Sequence, residues 1–225
     1  MLHPGYYFNF ESIPFSSLFE EIFIADVLKK IPSYLQKQKL GKIEIPLPEN
    51  IYLENPHLIS IGEGTIIEPG VYIKGPVLIG KNCKICHGAY IRENVILGDG
   101  VVVGHNSEIK NSILLPRAHA AHFNYVGDSI LGFDTNLGAG VICANFRLDE
   151  KEIILHVKEK KENSGLRKFG VILGDGSKIG CNCVINPGTL IGKNVLCPAG
   201  IVLSKSIPSK AKIISKCMYS IEEDN

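Results

Sequence analysis

The sequence has no apolar run as long as the about 18 residues that a membrane-spanning helix needs. Its first ten residues also lack the basic and apolar regions of a signal peptide. An excess of charge of one sign is missing too, because 24 Lys and Arg stand against 23 Asp and Glu. We therefore expect a cytoplasmic protein, with neither a membrane nor nucleic acid as its main partner.

The cysteines are too few and too irregular for a disulfide framework. The seven cysteines are an odd number and are scattered through the chain. Cys83 and Cys86 form a CxxC and Cys181 and Cys183 form a CxC, but no second pair has the spacing of a zinc finger. We expect buried thiols in a reducing compartment and no required metal, with zinc at either pair as an open alternative.

An apolar residue recurs every sixth position over the first half of the chain. A helix repeats every 3.6 residues and a strand every 2, so this spacing predicts a chain that coils in flat facets of about six residues. The members of the series are Ile61, Ile67, Ile73, Ile79, Ile85, Ile91, Leu97, Val103, Ile109 and Leu115.

The same spacing returns further along the chain, and glycine often follows the apolar position. The later members are Leu131, Leu137, Cys143, Leu173, Ile179, Ile185, Ile191, Cys197 and Leu203. The pattern predicts an all-β fold, a parallel β-helix of hexapeptide repeats in which one residue per facet points inward. The spacing alone does not decide its handedness or oligomeric state.

The N-terminal 50 residues follow a different pattern. A capping box from Ser17 to Glu20 predicts a helix that ends near Lys30, with Pro32 as a stop. A second short helix is expected at 33–40. We interpret residues 1–50 as a helical cap over the open end of a β-helix at 51–217, with a C-terminal tail at 218–225.

The repeat is interrupted twice, and interruptions of a regular solenoid are common places for function. The interval from Leu115 to Leu131 is 16 residues where 18 is expected. Residues 146–169 abandon the spacing, and 12 of these 24 residues are charged. Because the alternation of Ile153, Leu155 and Val157 is weak for a core strand, we expect an ejected loop that projects as a hairpin toward a neighbouring subunit or over a cleft.

Three motifs at these interruptions resemble a known family. They are His122-Phe-Asn-Tyr-Val-Gly-Asp128, Asn136-Leu-Gly-Ala-Gly140 and Ala144-Asn-Phe146. Residues 51–217 resemble the acetyltransferase domain of bifunctional N-acetylglucosamine-1-phosphate uridylyltransferase/glucosamine-1-phosphate acetyltransferases, in particular the archaeal type. The resemblance implies a left-handed β-helix, a homotrimer with sites between subunits, and acetyl-CoA as co-substrate in the synthesis of UDP-N-acetylglucosamine.

The resemblance also implies roles for individual residues. His122 matches the general base that accepts a proton from the sugar amine, a task suited to a side chain with a pKa near neutrality. Arg92 and Lys110 match the cations that bind the sugar phosphate. Both follow an inward position and stand 18 residues apart, so we expect them to stack, with a bound anion to offset their repulsion. The other substrate-binding matches are Tyr125, Asn136 and Lys151, and the cofactor-binding matches are Ala139, Asn145, Phe146, Cys181, Ala199 and Lys216.

Some features of the family are altered or missing. Phe146 replaces a Tyr, Cys181 a Ser and Lys216 an Arg. No glycine-rich nucleotide loop precedes the repeats, so uridylyl transfer is not expected from this chain. The leading hypothesis is an N-acetyltransferase acting on an amino-sugar 1-phosphate, most simply glucosamine 1-phosphate.

Two alternatives remain open from the sequence. A γ-type carbonic anhydrase would need a zinc ion held by three histidines, and His87, His105 and His122 are the available trio. A non-catalytic protein that binds a sugar nucleotide or assists assembly would keep the ligands without turnover.

Overall fold

The computed structural model describes residues 2–20, 23–157 and 160–215 of the chain. One α-helix, α1 (Ile24–Lys37), lies in the N-terminal segment. Three short 3-10 helices cover Pro4–Tyr6, Ser16–Phe19 and Pro56–Leu58. No helix among these residues is long and apolar enough to cross a membrane.

The strands form three parallel sheets that the chain visits in turn, which makes a three-sided β-helix. Facet 1 contains β2 (Ile59–Ile61), β5 (Val77–Ile79), β8 (Val95–Leu97), β11 (Ser112–Leu114), β14 (Ile130–Leu131), β19 (Val171–Leu173) and β22 (Thr189–Ile191). Facet 2 contains β3 (Ile66–Ile67), β6 (Lys84–Ile85), β9 (Val102–His105), β12 (His119–His122), β15 (Asn136–Leu137), β20 (Lys178–Ile179) and β23 (Leu196–Cys197). Facet 3 contains β1 (Tyr52–Glu54), β4 (Tyr72–Lys74), β7 (Tyr90–Ile91), β10 (Glu108–Lys110), β13 (Tyr125–Gly127), β16 (Ile142–Cys143), β21 (Val184–Ile185) and β24 (Val202–Leu203).

The inward residues of all three facets form one continuous apolar core, as the six-residue spacing predicts. One member of the predicted series is wrong: Leu114, not Leu115, enters this core. Leu97 pairs with Leu114, and Leu114 pairs with Leu131, so two successive coils are one residue short. The interval between Leu115 and Leu131 is therefore regular β-helix with one shortened turn, and the other shortened turn lies just before Leu114.

Facet 1 differs from the other two because its outward residues are buried as well. A second apolar cluster contains the outward side chains Ile96, Ile113, Ile130, Ile172 and Leu190. The N-terminal segment and the hairpin of the insert pack on these side chains. The expected position of the N-terminal segment, over the open end, is therefore wrong, because it lies along the flank of the β-helix.

Helix α1 runs through Pro32, which we had expected to end it. A proline inside a helix removes one hydrogen bond and costs about 3 kcal/mol. On the flank side, Val27, Leu28, Ile31 and Leu35 are each at most 2% exposed. Burial of several such side chains, each contributing about 1.5–3 kcal/mol, outweighs that cost and joins the two predicted helices into one.

The insert at 146–169 leaves the β-helix, as predicted, and forms an antiparallel hairpin of β17 (Ile154–Val157) and β18 (Lys160–Asn163). The prediction that its apolar residues would not enter a core is wrong. Ile153, Leu155 and Val157 are buried on facet 1. The hairpin and the N-terminal segment together cover the outward apolar side chains of facet 1.

The chain joins the β-helix earlier than residue 51, where we expected the first coil. Ile43 forms a parallel bridge with Ile61, and Glu44 N donates a hydrogen bond to Ile61 O at 2.9 Å. Ile45 packs against the inner core as well. Residues 42–45 thus form the first edge of facet 1.

Candidate active site

The corner between facets 2 and 3 carries a column of residues, one from each of six coils. The carbonyl of each member except the last accepts a hydrogen bond from the amide that follows the next member. Phe123 N donates to His105 O at 2.9 Å, and Gly140 N donates to His122 O at 3.0 Å. The members of this corner column are His87, His105, His122, Ala139, Cys181 and Ala199.

His122 is the last residue of β12, and its side chain is exposed. Among the described residues, none hydrogen-bonds its imidazole ring. Its backbone, in contrast, is held firmly, because the His122 amide donates to Asn124 Oδ1 at 3.1 Å. Asn124 is 2% exposed and donates to Gly138 O at 2.8 Å. The structure therefore fixes the position of His122 and leaves both ring nitrogens available to a ligand.

The two histidines before it in the corner column make other contacts. The rings of His87 and His105 stack with centroids 5.7 Å apart, and His105 meets Phe123 edge-on at 5.2 Å. Within the described parts of the chain, no group of three or more His, Cys, Asp or Glu residues could hold a metal ion. Nothing in these contacts supports the zinc alternative.

The three members of the corner column after His122 are small. Ala139 is half-buried, and Cys181 and Ala199 are exposed. Successive coils of a β-sheet lie about 4.8 Å apart, so these residues extend about three coils from His122 along the corner. Small side chains leave the backbone of this corner accessible to an extended ligand.

Arg92 and Lys110 lie on the far edge of facet 3, one coil apart. The register of Ile91 with Ile109 confirms that they stack. We expected a bound anion to offset their repulsion, and in the structure each cation already pairs with a carboxylate of the chain. Arg92 Nη1 lies 3.0 Å from Glu108 Oε1, and Lys110 Nζ lies 3.0 Å from Asp128 Oδ2.

Asp128 is the residue around which the far edge of facet 3 is organised, and the sequence reasoning did not identify it as a site residue. It is 4% exposed and accepts hydrogen bonds from three side chains. Asn111 Nδ2 donates to its Oδ1 at 2.8 Å, and Lys110 Nζ and Asn145 Nδ2 donate to its Oδ2 at 3.0 and 2.5 Å. A signal was present in the sequence, since Asp128 stands one coil after Lys110.

Tyr125 lies between this cluster and the corner column. Asn145 Nδ2 donates to Tyr125 Oη at 3.2 Å, which leaves the tyrosine proton free to donate outward. Burial, and then the charge of Glu108, raise the pKa of Tyr125, so the phenol stays protonated at neutral pH. A Cβ at Gly127 would lie 2.6 Å from both Tyr125 Oη and Asn145 Nδ2, so only glycine allows this close packing.

Charge compensation also shapes the behaviour of Arg92. Its hydrogen bond to Glu108 is the main cause that raises the pKa of its guanidinium, which remains charged. Glu93 Oε1 lies 3.8 Å from Arg92 Nη2. Arg92 Nε and Glu93 Oε2 are buried and have no hydrogen-bond partner. Two cations and three carboxylates, counting Asp128, therefore share this edge.

The remaining predicted residues lie apart from this cluster. Asn136 points outward on facet 2, where it pairs in register with His119 and Lys178. Lys151 is exposed at the start of the insert and lines a shallow pocket of about 460 Å³ with Arg147 and Arg167.

Phe146 and Lys216 complete the set of predicted cofactor contacts. Phe146 is 40% exposed, and Lys168 Nζ lies 5.9 Å from the centre of its ring. Lys216 lies outside the described residues.

Comparison with known protein families agrees with this architecture. Residues 73–155 match the family described as the GMPPB C-terminal domain. The stretches 163–187 and 170–205 match the hexapeptide repeat of succinyl-transferase. Matches to these two families thus extend over 73–155 and 163–205 of the β-helix. The family resemblance inferred from its motifs is confirmed by its relatives.

Curated relatives of this chain are bifunctional proteins. A bifunctional sugar-1-phosphate nucleotidylyltransferase/acetyltransferase of Sulfurisphaera tokodaii is 48% identical over 67 residues, which cover 30% of this chain and 17% of the relative. The bifunctional protein GlmU of a Synechococcus species is 28% identical over 165 residues, which cover 73% of this chain and 29% of the relative. The chain thus matches less than a third of the length of these relatives.

Among solved structures, the polySia-specific acetyltransferase NeuO aligns with this chain at a TM-score of 0.46 and 15% identity. The alignment covers 79% of this chain and 92% of NeuO. A similarity at this level carries no conclusion about function.

Proposed function

We propose that this chain is an N-acetyltransferase that moves the acetyl group of acetyl-CoA to the amine of an amino-sugar 1-phosphate, with glucosamine 1-phosphate as the main candidate. One observation carries the proposal: His122 stands on the corner column, which continues along small residues on one side. On the adjoining facet, Tyr125, Asn145, Lys110 and Arg92 form a polar cluster. In this proposal the base stands between the corner that takes the extended donor and the cluster that takes the charged acceptor.

In the proposed reaction, His122 accepts a proton from the acceptor amine as the nitrogen attacks the thioester carbon. The new C–N bond forms, the C–S bond breaks, and the thiolate of CoA leaves and takes up a proton. A positioned base of this kind contributes on the order of 10² to 10⁴ in rate. The firmly held backbone of His122 supports this role, because a base must be aimed at the amine before the reaction.

The acceptor phosphate would bind at Arg92 and Lys110. Because both cations already pair with carboxylates, a phosphate must compete with Glu108 and Asp128 for them. A doubly charged phosphate attracts each cation more strongly than a single carboxylate does at the same distance. The hydroxyl proton of Tyr125 supplies a further donor beside them.

Acetyl-CoA would lie along the corner column, where Ala139, Cys181 and Ala199 leave room for its pantetheine arm. Asn136 points outward from facet 2 of the same chain, whereas the polar cluster lies on facet 3. We infer that a trimer completes the site, with facet 2 of one protomer facing facet 3 of its partner. Lys151, at the start of the insert, would also contribute to this site between protomers. The reaction, which consumes acetyl-CoA, would run in the cytoplasm.

The test is thiol release from acetyl-CoA with glucosamine 1-phosphate, galactosamine 1-phosphate or no acceptor. We expect acceptor-dependent turnover that falls by about 10² or more in His122→Ala. The matched control is His87→Ala, which removes an imidazole from the same column two coils away and should keep turnover.

Other outcomes would decide against the proposal. Equal losses in His87→Ala and His122→Ala would favour a shared zinc site, which a metal assay would detect. Tight binding of both ligands without turnover would favour the non-catalytic alternative.

A further inference from the structure

Asp128 occupies a position that the proposed chemistry does not use directly. Its side chain is 6% exposed, its backbone φ is +47°, and both of its carboxylate oxygens accept hydrogen bonds. A buried carboxylate is costly unless such donors stabilise it. The three donors that surround it belong to residues placed in or beside the candidate site.

We propose that Asp128 is a positioning residue for the acceptor site, where it sets the orientation of the Asn145 amide and restrains the Lys110 ammonium. This inference rests on the proposed acetyl transfer to an amine. It concerns the acceptor side of that reaction and assigns no new chemistry to Asp128.

The orientation of Asn145 follows from the chemistry of its neighbours. An ionised carboxylate only accepts hydrogen bonds, so Asp128 requires the NH₂ group of Asn145 to face it. The second Nδ2 proton goes to Tyr125 Oη at 3.2 Å. With both protons used inside the protein, the Oδ1 atom is the part of the amide left for a ligand. This amide oxygen can accept a hydrogen bond from the N–H of the substrate amine.

The restraint on Lys110 has a second consequence. The Lys110 side chain is 14% exposed, and its ion pair with Asp128 is shielded from solvent. In such surroundings a carboxylate lowers the attraction of the cation for a free anion. Asp128 would therefore weaken the binding of simple phosphate while it holds the cation in a defined position.

Asp128 also connects the acceptor site to the insert. Gly170 N donates to Asp128 O at 2.8 Å, and Phe169 N donates to Asn145 O at 2.9 Å. The insert thus leaves the β-helix just after Asn145 and returns onto the backbone of these two residues. A change at the point where the insert returns to the β-helix would therefore move Asn145 directly.

The experiment compares wild type with Asp128→Asn, which keeps the shape and removes the charge. We expect kcat for the amine acceptor to fall about tenfold or more, because the new amide lets Asn145 turn its oxygen inward. We also expect inorganic phosphate to bind more tightly, because Lys110 loses its carboxylate. A fall in phosphate affinity together with kcat would overturn the proposal, since a merely structural role would weaken both.

Two comparisons separate positioning from folding. Asp134→Asn is the matched control, because Asp134 also has a positive φ of 54° and pairs with Arg117 at another corner. It should leave both quantities unchanged. In an Asn145→Ala background, Asp128→Asn should lower kcat little further, because Asp128 acts through Asn145. Additive losses would contradict the proposal.

A measurement on the wild type covers the case in which Asp128→Asn does not fold. The Nδ2 protons of Asn145 should exchange with water at least tenfold more slowly than those of Asn106, whose side chain is exposed. Equal exchange rates would refute the assigned orientation. This readout and phosphate binding need no turnover, so they test Asp128 even if the proposed acetyl transfer fails.

Discussion

Facets 1 and 3 share one coil geometry but differ in the burial of their outward-pointing side chains. In β8 of facet 1 all three residues are buried, and the outward Ile96 lies in the second apolar cluster. In β7 of facet 3, Ile91 is buried whereas the outward Tyr90 is 37% exposed. The outward residue thus decides whether a facet is covered by the chain itself or left open to ligands and partners.

The largest expected effect is on stability and compares two isoleucines of the same coil. Ile130 points outward on facet 1 and is fully buried, whereas Ile142 points outward on facet 3 and is 37% exposed. Ile130→Ala should lower the free energy of unfolding by about 2–5 kcal/mol, and Ile142→Ala by less than about 1 kcal/mol. Denaturant unfolding measures both values. Equal losses would mean that facet 3 is covered as thoroughly as facet 1.

The next effect concerns the polar edge of facet 3. Arg92→Ala should raise KM for the sugar phosphate by about tenfold or more, because a charged hydrogen bond contributes about 1.5–3 kcal/mol. Lys74→Ala is the control, since Lys74 holds the same place one coil earlier and pairs with Glu54 at 3.3 Å. Steady-state kinetics would show the contrast. If Lys74→Ala raises KM as much, the phosphate site lies elsewhere on the facet.

A third prediction extends the comparison to the corner between facets 2 and 3. Cys181 is exposed, whereas Cys143 is buried and burial raises its pKa to about 12. An alkylating reagent should therefore label Cys181 well before Cys143. Acetyl-CoA should slow the labelling of Cys181 if it occupies the corner column. Peptide mass spectrometry would follow both thiols, and unchanged labelling would place the donor elsewhere.

The smallest effect is a pH dependence on facet 2. Burial, and then the charge of Lys178, lower the pKa of His119 from its ordinary value of 6.5. The unfolded chain then binds more protons just below pH 6.5, so this histidine's contribution to stability is present above that pH and is lost as the pH falls. His119→Gln should flatten the dependence of Tm on pH between about 5 and 7. If the slope of Tm against pH does not change, another group causes the pH dependence.

Most of the fold could be predicted from the sequence because its inward residues obey a strict spacing. The one-residue displacement at Leu114 escaped prediction, since both Leu114 and Leu115 are apolar and either keeps a plausible register. We predicted that Pro32 would end the helix, because proline disfavours the interior of a helix. Tertiary burial of Ile31 and Leu35 overrides that local cost, and sequence patterns do not report such burial.

The candidate site was predicted unevenly for a related reason. A motif marked His122, Tyr125 and Asn145, and their roles stay predictions. The ion pairs of Arg92 and Lys110 were missed, because each partner lies about one coil away in sequence. A single turn of the β-helix brings them within 3.0 Å.

The sequence by itself determined the coil, the inward core and the position of the insert, because each follows from the spacing of residues along one chain. Only the tertiary structure decided which facet is covered, which carboxylate meets which cation and which residues share the corner column. These contacts join residues from different coils. They depend on the register between coils, and two coils that are one residue short change that register without interrupting the apolar pattern.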